Sequence, residues 1–181
     1  MPSKTRCTPL RNYAAPRKDK KIFHQETESI LTKIISGSEL ASSLEEKLPG
    51  CITASNEVDV WVSPESLLDV CQTLKDPEGL DFSYLTSISA VDYIDNFELV
   101  YHVLSMRNNY SGVIKCRCSS EGNLRGEPTV SSVTGIWKGA DLQEREIWDL
   151  MGIKFEGHPN LKRILLWEGF DGHPLRKDYL G

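Results

Sequence analysis

The sequence predicts an α+β fold, in which helices pack on one face of a mostly antiparallel, mixed sheet. Residues 63–65 begin a helix, because Ser63 can cap it, Pro64 suits its first position and Glu65 places an acid in its first turn. Residues 82–118 are rich in β-branched and aromatic side chains with turn residues between them, which predicts three successive antiparallel strands. These two observations together define the class.

The remaining elements of the N-terminal half follow from apolar spacing. Apolar residues within 28–35 recur at helical spacing, and the row Leu40, Leu44, Leu48 continues it, so we expect one helix interrupted near Gly37, or two helices. Residues 51–62 alternate, which predicts a hairpin turning at Asn56. The helix after residue 63 should bury one stripe, formed by Leu67, Leu68, Cys71 and Leu74.

The C-terminal half is predicted to end in irregular structure. Residues 129–137 form a short apolar segment, and a helix over about 141–151 should end where Gly152 adopts the left-handed conformation. The last thirty residues hold too many glycines and prolines for long elements, yet they are too apolar to stay free. We therefore divide the chain into a basic tail (1–21), an α+β domain (22–152) and an extended partner-binding segment (153–181).

Charge and cysteine usage limit the function. The net charge of −5 divides into +6 for residues 1–21 and −11 for the rest, and an acidic body argues against nucleic acid as the main partner. No apolar run approaches the length of a membrane-spanning helix. Five cysteines indicate a reducing compartment, and Cys116 and Cys118 should share a buried strand face rather than bind metal.

Residues 144–159, EREIWDLMGIKFEGHP, concentrate charged groups beside apolar ones. On a helix, Leu142, Glu146 and Leu150 fall in one row, which predicts a buried Glu146 that needs a cation. The candidates are the basic pairs at 162–163 and 176–177. Arg145 should instead point toward Asp149, four residues on.

Three interpretations of this stretch are open. Glu146 and Asp149 could form a catalytic acid/base pair, or these two carboxylates and His158 could bind a metal in a stand-alone enzyme. His158 and His173, each within Gly-His-Pro, are more typical of hydrogen-bonded turns of repeated geometry. A loop-rich segment with apolar residues, basic pairs and Trp167 has the composition of a protein interface, which we favour.

The same region also carries a family resemblance. Residues 137–153 (WKGADLQEREIWDLMGI), 155–165 (FEGHPNLKRIL) and 172–179 (GHPLRKDY) resemble, in this order, the C-terminal hallmark of the NuoC family, a subunit family of NADH:quinone oxidoreductase, which is respiratory complex I. Related membrane-bound hydrogenases and ferredoxin- or F420-linked dehydrogenases use similar domains.

The resemblance implies a non-catalytic subunit of the peripheral arm. It implies no cofactor or metal in this chain, with iron–sulfur clusters, FMN and quinone held by neighbouring subunits. It also implies packing against the large quinone-site subunit (the D component of the complex) and other peripheral-arm subunits. The location implied is peripheral, on the cytoplasmic face of the membrane or the matrix side in a mitochondrion. The residues expected to bind the partner are Glu144, Arg145, Glu146, Asp149, Gly157, His158, Pro159, Arg163, Trp167, Pro174, Leu175, Arg176 and Lys177.

Overall fold

The computed structural model describes residues 31–119 and 126–181. Within these residues the main sheet has six strands. Five strands follow the order β2-β3-β6-β5-β4, and β1 also pairs with β6. Their bounds are β1 Lys33–Ile34, β2 Ile52–Ser55, β3 Asp59–Val62, β4 Tyr84–Asp92, β5 Phe97–Ser105 and β6 Tyr110–Cys118.

The sheet is mixed, as predicted. Strands β4, β5 and β6 form the expected antiparallel meander, and β2 and β3 form the expected hairpin. Both β1 and β3 run parallel to β6, and they share one edge of it because each pairs with a different stretch. Because β4, β5 and β6 are antiparallel, the β4–β5 turn and the β5–β6 turn lie at opposite ends of the sheet.

Three helices cover one face of this sheet. They are α1 Gly37–Lys47, α2 Leu67–Lys75, preceded by a 3₁₀ turn at Pro64–Ser66, and α3 Ala140–Met151. The side chains of Val60, Leu99, Tyr101 and Ile114 alternate along their strands and are buried in the same core as the helices. Cys116 and Cys118 lie on this buried face, as the alternation predicts. The α+β prediction is confirmed.

Two local predictions are wrong. The described residues of 28–35 contain β1 instead of a helix, because the backbone N–H groups of Lys33 and Ile35 donate to the carbonyls of Asn109 and Ser111 at the start of β6. In α2, Leu68 is 41% exposed and Val70 takes its place in the buried stripe. Residues 28–30 and the basic tail 1–21 lie outside the described residues.

A second, small sheet pairs the strand that precedes α3 with the strand that follows it. It pairs β7 (Thr129–Ser131) in parallel with β8 (Lys154–Glu156) and buries Val130 and Phe155. Beyond β8 the chain follows turns and irregular structure to its end, as its glycines and prolines predict. Throughout the described ranges, no helix has both the length and the apolar character that crossing a membrane requires.

Candidate functional site

Helix α3 positions the residues that the sequence singles out. It ends at Gly152, whose φ of 71° is left-handed and whose N–H donates to the Trp148 carbonyl at 2.9 Å, as predicted. Two carboxylates of this helix, Glu144 and Asp149, are fully buried at 0% exposure. A buried carboxylate requires hydrogen-bond donors or a cation. Glu144 and Asp149 find such partners on opposite sides of the helix.

Asp149 anchors the C-terminal segment. Its Oδ1 accepts a hydrogen bond from Arg163 Nη1 at 2.6 Å, and its Oδ2 accepts three backbone N–H groups. Those donors are consecutive residues, Ile164, Leu165 and Leu166, at 3.0, 2.8 and 2.9 Å. Successive backbone N–H groups around one oxygen form an anion-binding nest. The side chain of one helical residue thereby fixes the path of a segment without regular structure.

These donors also control the ionisation of Asp149. Burial acts to raise its pKa, but the N–H groups of residues 164–166 and the Arg163 guanidinium outweigh burial and lower the pKa to about 2. Asp149 is therefore an anion throughout the physiological pH range. Such a carboxylate is poorly suited to accept and return a proton at neutral pH.

Arg163 extends the anchor to later turns of the segment. Its Nη2 donates to the carbonyls of Phe170 and Gly172 at 2.7 and 3.3 Å, and its guanidinium lies 5.8 Å from the ring centres of both Trp148 and Phe170. The sequence suggests Arg163 as a counter-charge for Glu146. The structure assigns it to Asp149 instead.

The two Gly-His-Pro turns attach the segment to both ends of α3. His158 Nδ1 accepts the Asn160 N–H, so its Nε2 carries the proton and donates to the Asp141 carbonyl at 3.1 Å. His173 Nδ1 donates to the Asp149 carbonyl at 2.9 Å. Gly157 and Gly172 both have positive φ. Both histidines lie in hydrogen-bonded turns, as predicted, and the glycine conformation repeats, but the ring bonds differ because Nδ1 accepts in His158 and donates in His173.

The end of the segment contacts the β4–β5 hairpin. The Lys177 N–H donates to Asp92 Oδ2 at 2.8 Å, and the guanidinium of Arg176 lies 5.1 Å from the Phe97 ring centre. Arg176 also donates to the carbonyl of Gly126 at 3.1 Å. Sequence reasoning does not single out Asp92. Its place directly before a turn, where aspartate accepts nearby N–H groups, is the signal that could have identified it.

Glu144 connects α3 to the loop after β7. Its carboxylate accepts the Ser132 hydroxyl at 2.6 Å and the Val133 N–H at 2.7 Å. Burial raises its pKa, the two hydrogen bonds lower it, and the charge of Asp141 raises it further, giving a value of about 7. This carboxyl is inside the protein, so its contacts stabilise the fold and leave it unable to touch a partner directly.

The predicted burial of Glu146 is wrong. Glu146 is exposed, and Leu142 in the same row is 58% exposed, because α3 turns the row containing Glu144 and Ile147 toward the core. Arg145 does not point to Asp149 either. It donates to the carbonyls of Lys162 and Arg163 at 3.1 and 3.2 Å, so it also holds the C-terminal segment.

The structure does not bring Glu146, Asp149 and His158 together. Asp149 is saturated by the nest and Arg163, and both ring nitrogens of His158 are engaged with the backbone. Within residues 31–119 and 126–181, no three His, Cys, Asp or Glu side chains are arranged to hold a metal ion. Glu146 and Asp149 also occupy different environments, one exposed and one buried.

The anchored segment exposes apolar side chains. Leu165 is 60% exposed and Trp167 is 70% exposed, although the backbone beside them is fixed by Asp149. Trp167 rests edge-on against Phe170 at 4.8 Å between ring centres, and Leu175 is also largely exposed. Pro159, Lys177 and Glu146 are exposed, and Pro174 is partly buried.

We expect Gly152→Ala to destabilise the chain more than Gly157→Ala. Both glycines are left-handed, which costs an L-residue about 1–2 kcal/mol. A Cβ on Gly152 would also lie 2.5 Å from His173 Cδ2, whereas a Cβ on Gly157 meets nothing within 4 Å. Chemical denaturation of both variants measures the difference, which should be at least about 1 kcal/mol. Equal losses would mean that the His173 contact contributes nothing.

The described residues thus define an α+β protein whose C-terminal segment is anchored on a helix by a buried aspartate. A family model described as respiratory-chain NADH dehydrogenase, 30 Kd subunit, matches residues 60–181. The chain belongs to this family, which confirms the resemblance to the NuoC family.

Curated relatives carry the corresponding name. The C 2 subunit of the NADH-quinone oxidoreductase of Rhizobium meliloti (strain 1021) is 46% identical over 65% of this chain and 63% of its own length, and that of Rhizobium etli is 44% identical over 67% and 64%. The match therefore spans a little under two thirds of these two relatives. The corresponding C-type subunit of Roseiflexus sp. is 40% identical over 77% of this chain and 79% of its own length.

Solved structures share the fold. A chain of the membrane-bound sulfane sulfur reductase, an archaeal respiratory membrane complex, superposes with a TM-score of 0.60 at 25% identity, covering 78% of this chain and 84% of that chain. A trypsin-resistant fragment of Nqo5 superposes with a TM-score of 0.52 at 26% identity, covering 67% of this chain and 96% of the fragment.

Proposed function

We propose that this chain is a non-catalytic, peripheral-arm subunit of a proton-translocating NADH:quinone oxidoreductase, and that it assembles with the large quinone-site subunit. The relatives that are named as subunits of that enzyme support the assignment of this chain to such a complex. The observation that carries the assembly role is the exposure of Leu165 and Trp167 on a segment whose backbone is already fixed. The docking surface comprises α3 and residues 153–181.

A fixed backbone favours docking for an energetic reason. Ordering a loop during association costs free energy, and a segment ordered beforehand avoids that cost. Here Asp149, Arg163 and the two Gly-His-Pro histidines supply the order within the chain. The apolar side chains on that segment are then free to be buried by the partner, and tryptophan is among the residues that contribute most at interfaces.

The segment also contains a groove that fits a partner side chain. It has a volume of about 510 Å³ and is lined by Trp148, Leu161, Lys162, Arg163, Leu166, Glu168 and Gly169. One aromatic ring and two leucines supply its apolar lining, and Lys162, Arg163 and Glu168 supply its charged lining. Protein interfaces combine apolar and polar side chains, with tryptophan and arginine enriched, so this lining is compatible with a docking site.

In this proposal the electron-carrying groups belong to other subunits. Iron–sulfur clusters, FMN and quinone would be held by neighbouring chains on the cytoplasmic face of the membrane, or the matrix side in a mitochondrion. This chain would attach to the membrane through the complex alone. Its buried cysteines support that division, since burial raises the pKa of Cys71, Cys116 and Cys118 and disfavours the thiolates that bind metal.

A related complex is the second candidate. The similarity to a chain of the sulfane sulfur reductase shows that this fold also occurs in a respiratory membrane complex of another name. A hydrogenase-type or ferredoxin- or F420-linked complex would use the same docking surface. The electron-input subunit that copurifies with the tagged chain distinguishes these candidates from NADH:quinone oxidoreductase.

Competitive incorporation tests the docking surface. A tagged variant is expressed with the untagged wild-type chain, the whole complex is purified through another subunit, and the ratio of the two chains is measured. We expect Trp167→Ala to lower its share about 30-fold, which corresponds to the ~2 kcal/mol of an interface hot spot. Its unfolding temperature should change little, because Trp167 is mostly outside the core.

Met106→Ala is the matched control. Met106 is 69% exposed, but it lies in the β5–β6 turn, outside the proposed surface. We expect this variant to enter the complex as readily as the wild type. Equal incorporation of Trp167→Ala and the wild type would contradict the proposed docking surface. If purification through the tagged wild-type chain recovered no large subunit, the assembly role would be contradicted.

A further inference from the structure

The tip of the β4–β5 hairpin exposes a second apolar group. The tip comprises residues 93–96, where Tyr93 is 51% and Ile94 57% exposed, and Val91 at the end of β4 is partly exposed. Hairpin tips are commonly polar, with asparagine, aspartate and glycine. Neither Tyr93 nor Ile94 contributes to the core formed by the described residues.

Ile94 also has an unfavourable backbone conformation. Its φ is +73°, in the left-handed region that β-branched residues rarely adopt. The opposite end of the sheet shows the ordinary solution, because the β5–β6 turn places Asn109 at φ +52°, and asparagine tolerates this region. A strained residue that gains no burial within its own chain is a reason to look for a function at that position.

Asp92 holds the strained tip against the C-terminal segment. Its Oδ1 accepts the Ile94 N–H at 2.7 Å, and its Oδ2 accepts the Lys177 N–H at 2.8 Å. The Tyr93 N–H donates to the Asn96 carbonyl at 2.9 Å and closes the turn. The tip and the end of the docking surface are therefore fixed to each other by one buried carboxylate.

We propose that Tyr93 and Ile94 form a second contact with the same large subunit, in which Ile94 enters an apolar pocket of that subunit. This inference rests on the proposed function and extends its surface from residues 153–181 to the hairpin tip. Continuity through Asp92 favours the same partner over an unrelated one, because a single rigid body can present both surfaces at once. The pocket on the partner must accept a branched aliphatic side chain.

Ile94→Gly separates binding from stability. Glycine adopts positive φ without strain, so we expect the unfolding temperature of the full chain not to fall. We expect its share in the competitive incorporation assay to drop about tenfold, since the side chain that enters the pocket is lost. A purely structural role would give the opposite pattern, with stability lost and incorporation unchanged.

Val58→Gly is the matched control for this variant. Val58 is also β-branched and exposed in a hairpin turn, but it has no positive φ and lies at the other end of the sheet. We expect its unfolding temperature to fall by a few degrees and its incorporation to match the wild type.

The outcomes distinguish the two proposals. Wild-type incorporation of Ile94→Gly, together with weak incorporation of Trp167→Ala, would overturn the hairpin contact and leave the docking surface intact. Wild-type incorporation of both variants would overturn both. A drop for Val58→Gly equal to that of Ile94→Gly would also overturn the hairpin contact, because the loss would then follow from any glycine in a turn.

Discussion

Asp149→Asn is expected to lower the free energy of unfolding by about 3 kcal/mol, because it leaves Arg163 without its partner and removes the charge from the backbone nest. Asparagine has nearly the same shape, so most of the loss reflects charge and the remainder reflects altered hydrogen bonding rather than packing. Residues 163–173 should become accessible to protease at the same time, since Asp149 is the common acceptor that fixes their start. Chemical denaturation and limited proteolysis measure the two effects.

Glu146→Gln is the control for this substitution. It neutralises a carboxylate on the same helix, but Glu146 is exposed, so we expect a change within about 0.5 kcal/mol and an unaltered cleavage pattern. Equal losses from the two variants would contradict the anchoring role of Asp149. Loss of stability without new cleavage would mean that other contacts hold the segment.

The effect of Asp149 should also disappear in acid. Its pKa is about 2 in the folded chain against an ordinary value of 3.8, so the unfolded state binds its proton first as pH falls. The stabilisation by its charge is fully present above about pH 4 and is lost as pH falls toward 2, with a total of about 2 kcal/mol. Below about pH 2, wild type and Asp149→Asn should therefore approach each other in stability.

Local patterns predicted the elements with local causes. The Ser63 cap with Pro64, the alternation along β6 and the left-handed Gly152 each specify structure within a few residues, and all three appear as expected. Residues 31–35 were mispredicted because their strand depends on hydrogen bonds to Asn109 and Ser111, more than seventy positions away. Helical spacing contains no information about that edge.

The candidate site was predicted only in part. The sequence indicated the correct helix and the correct segment, but it selected Glu146 as the buried carboxylate. Two rows compete on α3, one with Leu142 and Leu150 and the other with Ile147 and Met151, and each contains a glutamate. The second row faces the core, because Ser132 and Val133 offer donors to Glu144 there. The helical spacing of α3 contains no information about the placement of that loop.

The order of the C-terminal segment shows a similar limit. Its glycines and prolines predicted irregular structure, and its composition predicted an interface. The anchor itself consists mainly of backbone N–H groups that converge on Asp149, and backbone groups have no signature in a sequence. The dependence of this segment on a partner subunit stays a prediction. What the structure adds is that α3 and Asp92 already supply much of its order.

Glu144 should make the chain less stable as pH rises toward neutrality. Its pKa is about 7 in the folded chain against an ordinary value of 4.5, chiefly because burial disfavours the charged form. Below about pH 4.5 both states hold the proton, so its full contribution is present. Between pH 4.5 and 7 the unfolded state releases the proton first, and the free energy of unfolding should fall by about 3 kcal/mol.

Glu144→Gln isolates this effect. Glutamine can still accept the Val133 N–H and bond to the Ser132 hydroxyl, but it has no proton to lose. The difference in unfolding free energy between variant and wild type should therefore shift by about 3 kcal/mol in favour of the variant from about pH 4.5 to about pH 8. Glu39→Gln, which alters an exposed carboxylate of α1, should show no such shift. A constant difference across this range would mean that Glu144 is ionised in the core, and its hydrogen bonds would then outweigh the desolvation that burial imposes.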